Sequence, residues 1–280
     1  MVKFNLIILS VLSLIFLSKN VMAATAESVK ACETGDYLFT GSSTACRFTP
    51  QSYIASVFEM GLCTTNPMSG DSLDRSTCTT VFTASDQTNG SQHDFAPGDV
   101  ELIGTSTRPN NGTYGYPYII LSNDFSIKGE YSKGGTTYYI TASSGQCNAV
   151  NTTGPAEQCS SSLVQFAQTA ACDGEYLGAR FEGGILNGYL MQNSTLDKRL
   201  GASEGNAGQC TNVDRLVGVM ELDTPLIITQ SVINFKFTFN VTGYGAQLFT
   251  DQTPPTNITD GGGGSGPFSG FFTITNAPQQ

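Results

Sequence analysis

Tryptophan is absent, histidine occurs once, and charged residues make up only 13% of the chain. Each shortage closes a route. A single histidine cannot build a multi-histidine metal centre, and a Ser–His–Asp triad has only His93 to form around. His93 lies in Gly90-Ser91-Gln92-His93-Asp94, which reads as a solvated loop and leaves it without a catalytic assignment. Lys and Arg number 13 against 23 Asp and Glu, a net charge of −10 with no basic cluster to offset it. Phosphate backbones repel such a chain, so nucleic-acid partners are excluded. No C-x2-C pair is present, which removes zinc knuckles. Without Trp, a sugar-stacking platform would lack its strongest residue.

What is present begins with an export signal. Lys3 precedes an apolar run from Leu6 to Leu17 broken only by Ser10 and Ser13, and Val21-Met22-Ala23 offers a small-residue cleavage site. The run is too short to span a bilayer. Residues 1–23 therefore read as a signal peptide and 24–280 as the mature chain, whose charge falls from −10 to −12 as Lys3 and Lys19 leave. No later segment is apolar enough for a membrane span. The expected location is extracellular or the outer cell surface, with the periplasm as the alternative. Eight cysteines after such a signal read as up to four disulfides, all oxidised. About 105 connectivities exist for eight cysteines. Local spacing suggests Cys32–Cys46, Cys63–Cys78 and Cys159–Cys172, leaving Cys147–Cys210.

Period-2 alternation dominates from there, favoured by many Thr residues and few long charges. Tyr53 to Thr64 places Ile54, Phe58, Met60 and Leu62 on one face. Thr113 to Ser122 and Asn123 to Tyr131 read as strands meeting at Ser122-Asn123, and Lys133-Gly134-Gly135 turns into a strand over Thr136–Thr141. In Ile233–Thr242, Phe235, Phe237, Phe239 and Val241 oppose Lys236, Thr238 and Asn240. Leu216–Leu222, Leu226–Thr229 and Phe268–Thr275 complete the strands. One segment departs: Leu163, Phe166, Ala167 and Ala170 follow helical spacing, so a short helix is expected over 160–171 behind a Ser cap. The fold class is all-β, an antiparallel sandwich or jelly roll stapled by disulfides. It forms either one region over 24–280 or two sheet-rich halves, 32–145 and 173–280, around an insert at 146–172.

Several groups are candidates for chemistry. Tyr114, Tyr116 and Tyr118 alternate and would form either a binding face or a half-buried core face, on an edge strand because Pro117 lacks a donor. Glu59, Glu101, Glu130 and Glu221 lie on or beside strands, and two of them would be needed for glycoside cleavage. Solvent-facing acids are the plainer reading. Asp71, Asp74, Asp251 and Asp260 sit in loops and are the calcium candidates, without an EF-hand spacing. No other cofactor motif occurs. Asn89, Asn111, Asn151, Asn193, Asn240 and Asn257 begin Asn-x-Ser/Thr triplets. Gly261 to Gly264 precede an apolar strand carrying Phe271, Phe272 and Ile274. Either the glycines form a loop before a strand pairing within the chain, or they tether a strand that exchanges with a neighbouring molecule.

Phe58-Glu59-Met60-Gly61-Leu62-Cys63, Asn111-Gly112-Thr113-Tyr114, Leu121-Ser122-Asn123 with Ile127-Lys128-Gly129, and Val217-Gly218-Val219 leading to Thr224-Pro225 and Ile228-Thr229 resemble phrases in a group of exported, uncharacterised proteins of marine bacteria. The resemblance implies export and a β fold, and it carries no catalytic residue. The expected function is that of a non-enzymatic surface or extracellular protein, a structural or adhesive subunit that self-associates by strand exchange or binds surface partners. The alternative is a glycan- or small-ligand-binding module. The third reading is a carboxylate-based glycoside hydrolase.

Overall fold

The computed structural model describes Cys32 and residues 45–96, 100–133, 135–162, 175–181, 183–192, 195–198, 213–250, 261–265 and 269–276. The signal at 1–23 lies outside this set. In chain order the strands are β1 (Ala45–Phe48), β2 (Ser52–Cys63), β3 (Cys78–Ala84), β4 (Ser91–Asp94), β5 (Gly104–Ser106), β6 (Gly112–Tyr114) and β7 (Tyr116–Ser122). Then come β8 (Asp124–Lys128), β9 (Glu130–Lys133), β10 (Thr136–Ser143), β11 (Gln146–Asn151), β12 (Cys159–Ser162), β13 (Glu175–Phe181) and β14 (Gly184–Met191). The last are β15 (Arg215–Leu222), β16 (Leu226–Ile228), β17 (Val232–Asn240), β18 (Ala246–Thr250), β19 (Gly261–Ser265) and β20 (Ser269–Asn276). The fold is all-β, and no α-helix occurs among the described residues. Part of the expected helix is strand instead: Cys159–Ser162 pairs with β8, where its Ser side chains alternate inward and outward. Residues 163–171 of that expectation lie outside the described set.

A 13-stranded sheet runs β13-β14-β15-β7-β2-β8-β12-β11-β10-β9, with β3, β4 and β5 along the other side of β2. Its pairs are antiparallel except at Gln146↔Ser160, where β11 and β12 run parallel. β2 is the organiser. Along one edge it pairs with β7 and then β8, so those two strands form one antiparallel partner kinked at Asn123. The buried Asn123 amide donates to the Val213 carbonyl at 3.0 Å and fixes the kink. The halves proposed on either side of 146–172 share this sheet, since β15 pairs with β7 from Arg215↔Ser122 to Val219↔Tyr118. β7 is consequently an interior strand, not an edge. Pro117 is tolerated because it lies one residue before the β15 ladder begins, where no donor is demanded.

The central strands bury both faces, so β7 and β15 read as continuous apolar runs. Ile119, Leu121, Leu186, Leu190, Leu216 and Met220 face the larger core cluster. Tyr118, Ile120, Tyr189, Met191, Val217 and Val219 face the smaller one. β1, β18 and β19 form a separate three-stranded sheet that adds Phe48, Ala246 and Leu248 to the larger cluster. β17 adds Phe237 and Phe239, with Phe239 stacked 4.6 Å from Phe95.

The glycine tract is neither tether nor loop. Gly261–Ser265 is a strand paired with β18, and residues 262–265 are buried. A Cβ on Gly263 would sit 2.6 Å from Ile140 Cγ1, so only a backbone without side chains fits between β18 and the large sheet. Ser265 N–H donates to Ser161 Oγ at 2.9 Å and locks the strand to β12. The following strand, β20, pairs with β17 of the same chain from Val232↔Asn276 to Asn240↔Ser269.

Two disulfides join described cysteines. Cys63–Cys78 links directly opposed residues of β2 and β3, as spacing suggested. Cys147–Cys159 replaces the expected Cys159–Cys172 and Cys147–Cys210. The chain leaves β11 and returns as β12 alongside it, which brings the two Cα atoms to 5.0 Å. Cys32 is buried and disulfide-bonded. The side chain of Cys46, and all of Cys172 and Cys210, lie outside the described residues.

Candidate functional site

Among the described residues, one cleft grows from an irregularity in β2. Against β7 the register runs Val57↔Leu121 and then Glu59↔Ile120, so Phe58 is an extra residue. This β-bulge resets the alternation. Tyr53, Ala55 and Val57 face the larger cluster, as do Met60 and Leu62 beyond the bulge. Phe58 is thrown onto the opposite face. The expected grouping of Ile54 and Phe58 with Met60 and Leu62 is corrected accordingly. Phe58 and Glu59, neighbours in sequence, both line one cleft of about 250 Å³ with Arg75, Gln87, Ile120, Thr195, Leu196 and Arg215.

Glu59 is held by three donors. Its Oε1 accepts the Tyr118 hydroxyl at 2.5 Å and the Arg75 Nε at 2.9 Å, and its Oε2 accepts Arg75 Nη2 at 3.3 Å. Burial, then the Glu59 charge, pushes the Tyr118 phenol far above the ordinary tyrosine range. Tyr118 reaches Glu59 because its cross-strand partner is Gly61, over which the ring lies.

Arg215 enters from the end of β15. It is 6% exposed, and its guanidinium carbon lies 3.6 Å from the centre of the Phe58 ring. Nη1 donates to the Asp214 carbonyl at 3.0 Å and sits 3.4 Å from the half-exposed Asp214 carboxylate. Desolvation pulls the Arg215 pKa down, and Asp214 opposes that only in part. Nε and Nη2 hydrogen-bond to none of the described residues. A planar donor fork is thus left in a cleft wall. Around it stand the Thr195 hydroxyl and Gln87, whose Nε2 donates to the Ala84 carbonyl and leaves its amide oxygen as an acceptor.

Of the residues singled out from sequence, only Glu59 and Tyr118 belong to this arrangement. Tyr114 and Tyr118 are 4% and 1% exposed and lie in different core clusters, because the break at Gly115 separates β6 from β7. Tyr116 packs partly buried beside the smaller cluster, so the three do not form an open face. His93 is in strand β4 opposite Ala55 and not in a loop. Its Nε2 lies 3.0 Å from Ser91 Oγ, which accepts the Ile103 N–H at 2.7 Å. Asp94 spends Oδ1 on the N–H groups of Tyr53 and Ala96, so the trio is wired into the backbone. Glu101, Glu130 and Glu221 are exposed and away from the cleft. Asp74 caps its own turn through the Ser76 N–H, and that bond lowers its pKa. Among the described residues no three metal-ligating side chains cluster, so Asp71 and Asp74 are not joined into a site. Asp251 and Asp260 lie outside the described set, as do Asn193 and Asn257, while Asn89, Asn111 and Asn151 are exposed.

Sequence reasoning passed over Arg75, Gln87, Thr195 and Arg215. One signal was available: the alternation Tyr53, Ala55, Val57 changes phase to Met60, Leu62, which marks a bulge. The chain matches no protein-family model, no curated protein and no solved structure.

Proposed function

We propose that the chain is an exported, non-enzymatic binding protein of the cell surface or extracellular medium that holds a small polar ligand, a sugar unit of a glycan, in the cleft at the β2 bulge. The observation that carries this reading is the buried Arg215 with Nε and Nη2 unpartnered among the described residues. Two donor groups of a charged side chain are thereby left open in the cleft wall, and ligand oxygens can fill them with charge-assisted hydrogen bonds. Gln87, Thr195 and Arg75 add polar contacts, while Ile120 and Leu196 offer apolar wall for a ring face. The two disulfides suit an oxidising compartment, and no helix among the described residues is long and apolar enough to cross a membrane.

Binding is favoured over cleavage because Glu59 is the one acid among the described residues lining the cleft, already occupied by Tyr118 and Arg75, whereas glycoside hydrolysis uses two carboxylates. It is favoured over strand-exchange assembly because the glycine tract is a buried strand and β20 pairs within the chain. A glycan array probed with the purified mature protein tests the reading, alongside a reducing-end assay on each captured glycan. The expected result is retention of a restricted set of glycans without bond cleavage. Release of reducing ends that disappears in Glu59→Gln would replace it with the hydrolase reading.

A further inference from the structure

We infer that the ligand is a singly charged acidic sugar, a hexuronic acid unit whose carboxylate docks on Arg215. This rests on the cleft being the binding site, and it names the chemistry recognised there. The Nε and Nη2 groups of a guanidinium form parallel donors spaced for the two oxygens of a carboxylate. Arg215 offers that edge while its Nη1 is engaged by Asp214. The fork is fixed from below by Phe58, so little side-chain freedom is lost on binding.

The charge count selects a monoanion. Arg75 is paired with Glu59, and Arg215 is only partly offset by Asp214 at 3.4 Å. The site therefore carries little excess positive charge. A phosphate monoester would bring roughly two charges to it. A densely charged polyanion would also meet the repulsion of a strongly acidic mature chain. A cleft of about 250 Å³ admits one ring and not an extended chain. The remaining polar groups suit ring hydroxyls: the Gln87 amide oxygen accepts, and the Thr195 hydroxyl donates or accepts.

The test titrates isotope-labelled mature protein with the methyl glycosides of glucuronic, galacturonic and mannuronic acid, with the matching neutral hexosides, and with inorganic phosphate. Backbone amide shifts are followed by NMR. At least one uronoside should bind tenfold or more tighter than its neutral hexoside, with shifts centred on Phe58, Glu59, Thr195 and Arg215. In Arg215→Gln, which removes the guanidinium lying over Phe58, that preference should vanish while the thermal transition stays cooperative. Arg215→Lys should retain only part of it, because a point charge replaces the fork. Should Arg215→Gln not fold, the wild-type shift map and the acid-to-neutral ratio decide alone. Equal binding of acid and neutral sugars at the cleft overturns the acidic-sugar assignment and leaves the binding reading intact. Phosphate competing as strongly as the best uronoside reduces the cleft to a simple anion site and also overturns it. Shifts with none of the sugars, together with an empty glycan array, remove both readings.

Discussion

Tyr118, Gly61 and Glu59 form a small device in which each residue makes sense only through the other two. The glycine leaves room for a ring to cross β2, and the ring's hydroxyl then steadies the carboxylate that Arg75 holds from the other side. A Cβ on Gly61 would lie 2.2 Å from Tyr118 Cε1. Gly61→Ala should therefore destabilise the protein by about 1–3 kcal/mol through overpacking, read as a lower urea midpoint. Larger losses than that would point to collapse of the whole β2–β7 pair. The phenol gives a second test. Its folded pKa is raised, so the folded state favours the neutral form. The stability this contributes is fully present below the ordinary tyrosine value of 10.0 and is lost as pH rises above it toward the folded value. Ultraviolet titration should show tyrosine still neutral after exposed ones have ionised, and Tyr118→Phe should reduce that late step by one residue. If every tyrosine titrates near 10.0, the buried bond to Glu59 is absent in solution.

Strand placement was largely legible in the sequence because a strand with one wet face must alternate. β17 shows this directly, with Phe237 and Phe239 against the core and Lys236 and Thr238 exposed. The hairpin of β9 and β10 was equally legible, since Gly135 adopts a positive φ that its turn demands. Legibility failed where tertiary contact sets the role of a residue. Nothing local tells a buried glycine strand from a flexible linker, because the reason for the glycines is Ile140, more than a hundred residues earlier. Arg215 likewise looks like a strand-end cation until Phe58 is found beneath it. Comparing two glycines separates the causes. Gly263→Ala should cost about 1–3 kcal/mol because its Cβ would collide with Ile140. Gly145→Ala meets nothing within 4 Å but must hold φ +82, and should cost about 1 kcal/mol from backbone strain. A double-mutant cycle with Ile140→Ala should show strong coupling to Gly263→Ala and none to Gly145→Ala.

At the scale of the whole molecule, the chain is closed by pairings remote in sequence: β15 on β7, β1 on β18, and β20 on β17. Such connections leave no periodic trace, which is why the disulfide framework was half legible. Cys63–Cys78 spans one hairpin, whereas Cys147–Cys159 depends on β11 and β12 lying side by side. Peptide mapping of the unreduced protein should recover both links, and a Cys159–Cys172 peptide would contradict the β11–β12 juxtaposition. The terminal pair has the larger consequence. With β20 in place, β17 has one edge paired from Val232↔Asn276 to Asn240↔Ser269. The intact mature chain should then be monomeric by light scattering at high concentration. Deleting residues 268–280 would strip β17 of its partner and expose a row of unpaired N–H and C=O groups beside Phe237 and Phe239. The truncated chain should self-associate, and a synthetic peptide of residues 268–280 should suppress that association by refilling the ladder. Filaments formed by the intact chain, and lost on truncation, would show that β20 leaves β17 for a neighbour and would restore the structural-subunit reading over the binding one.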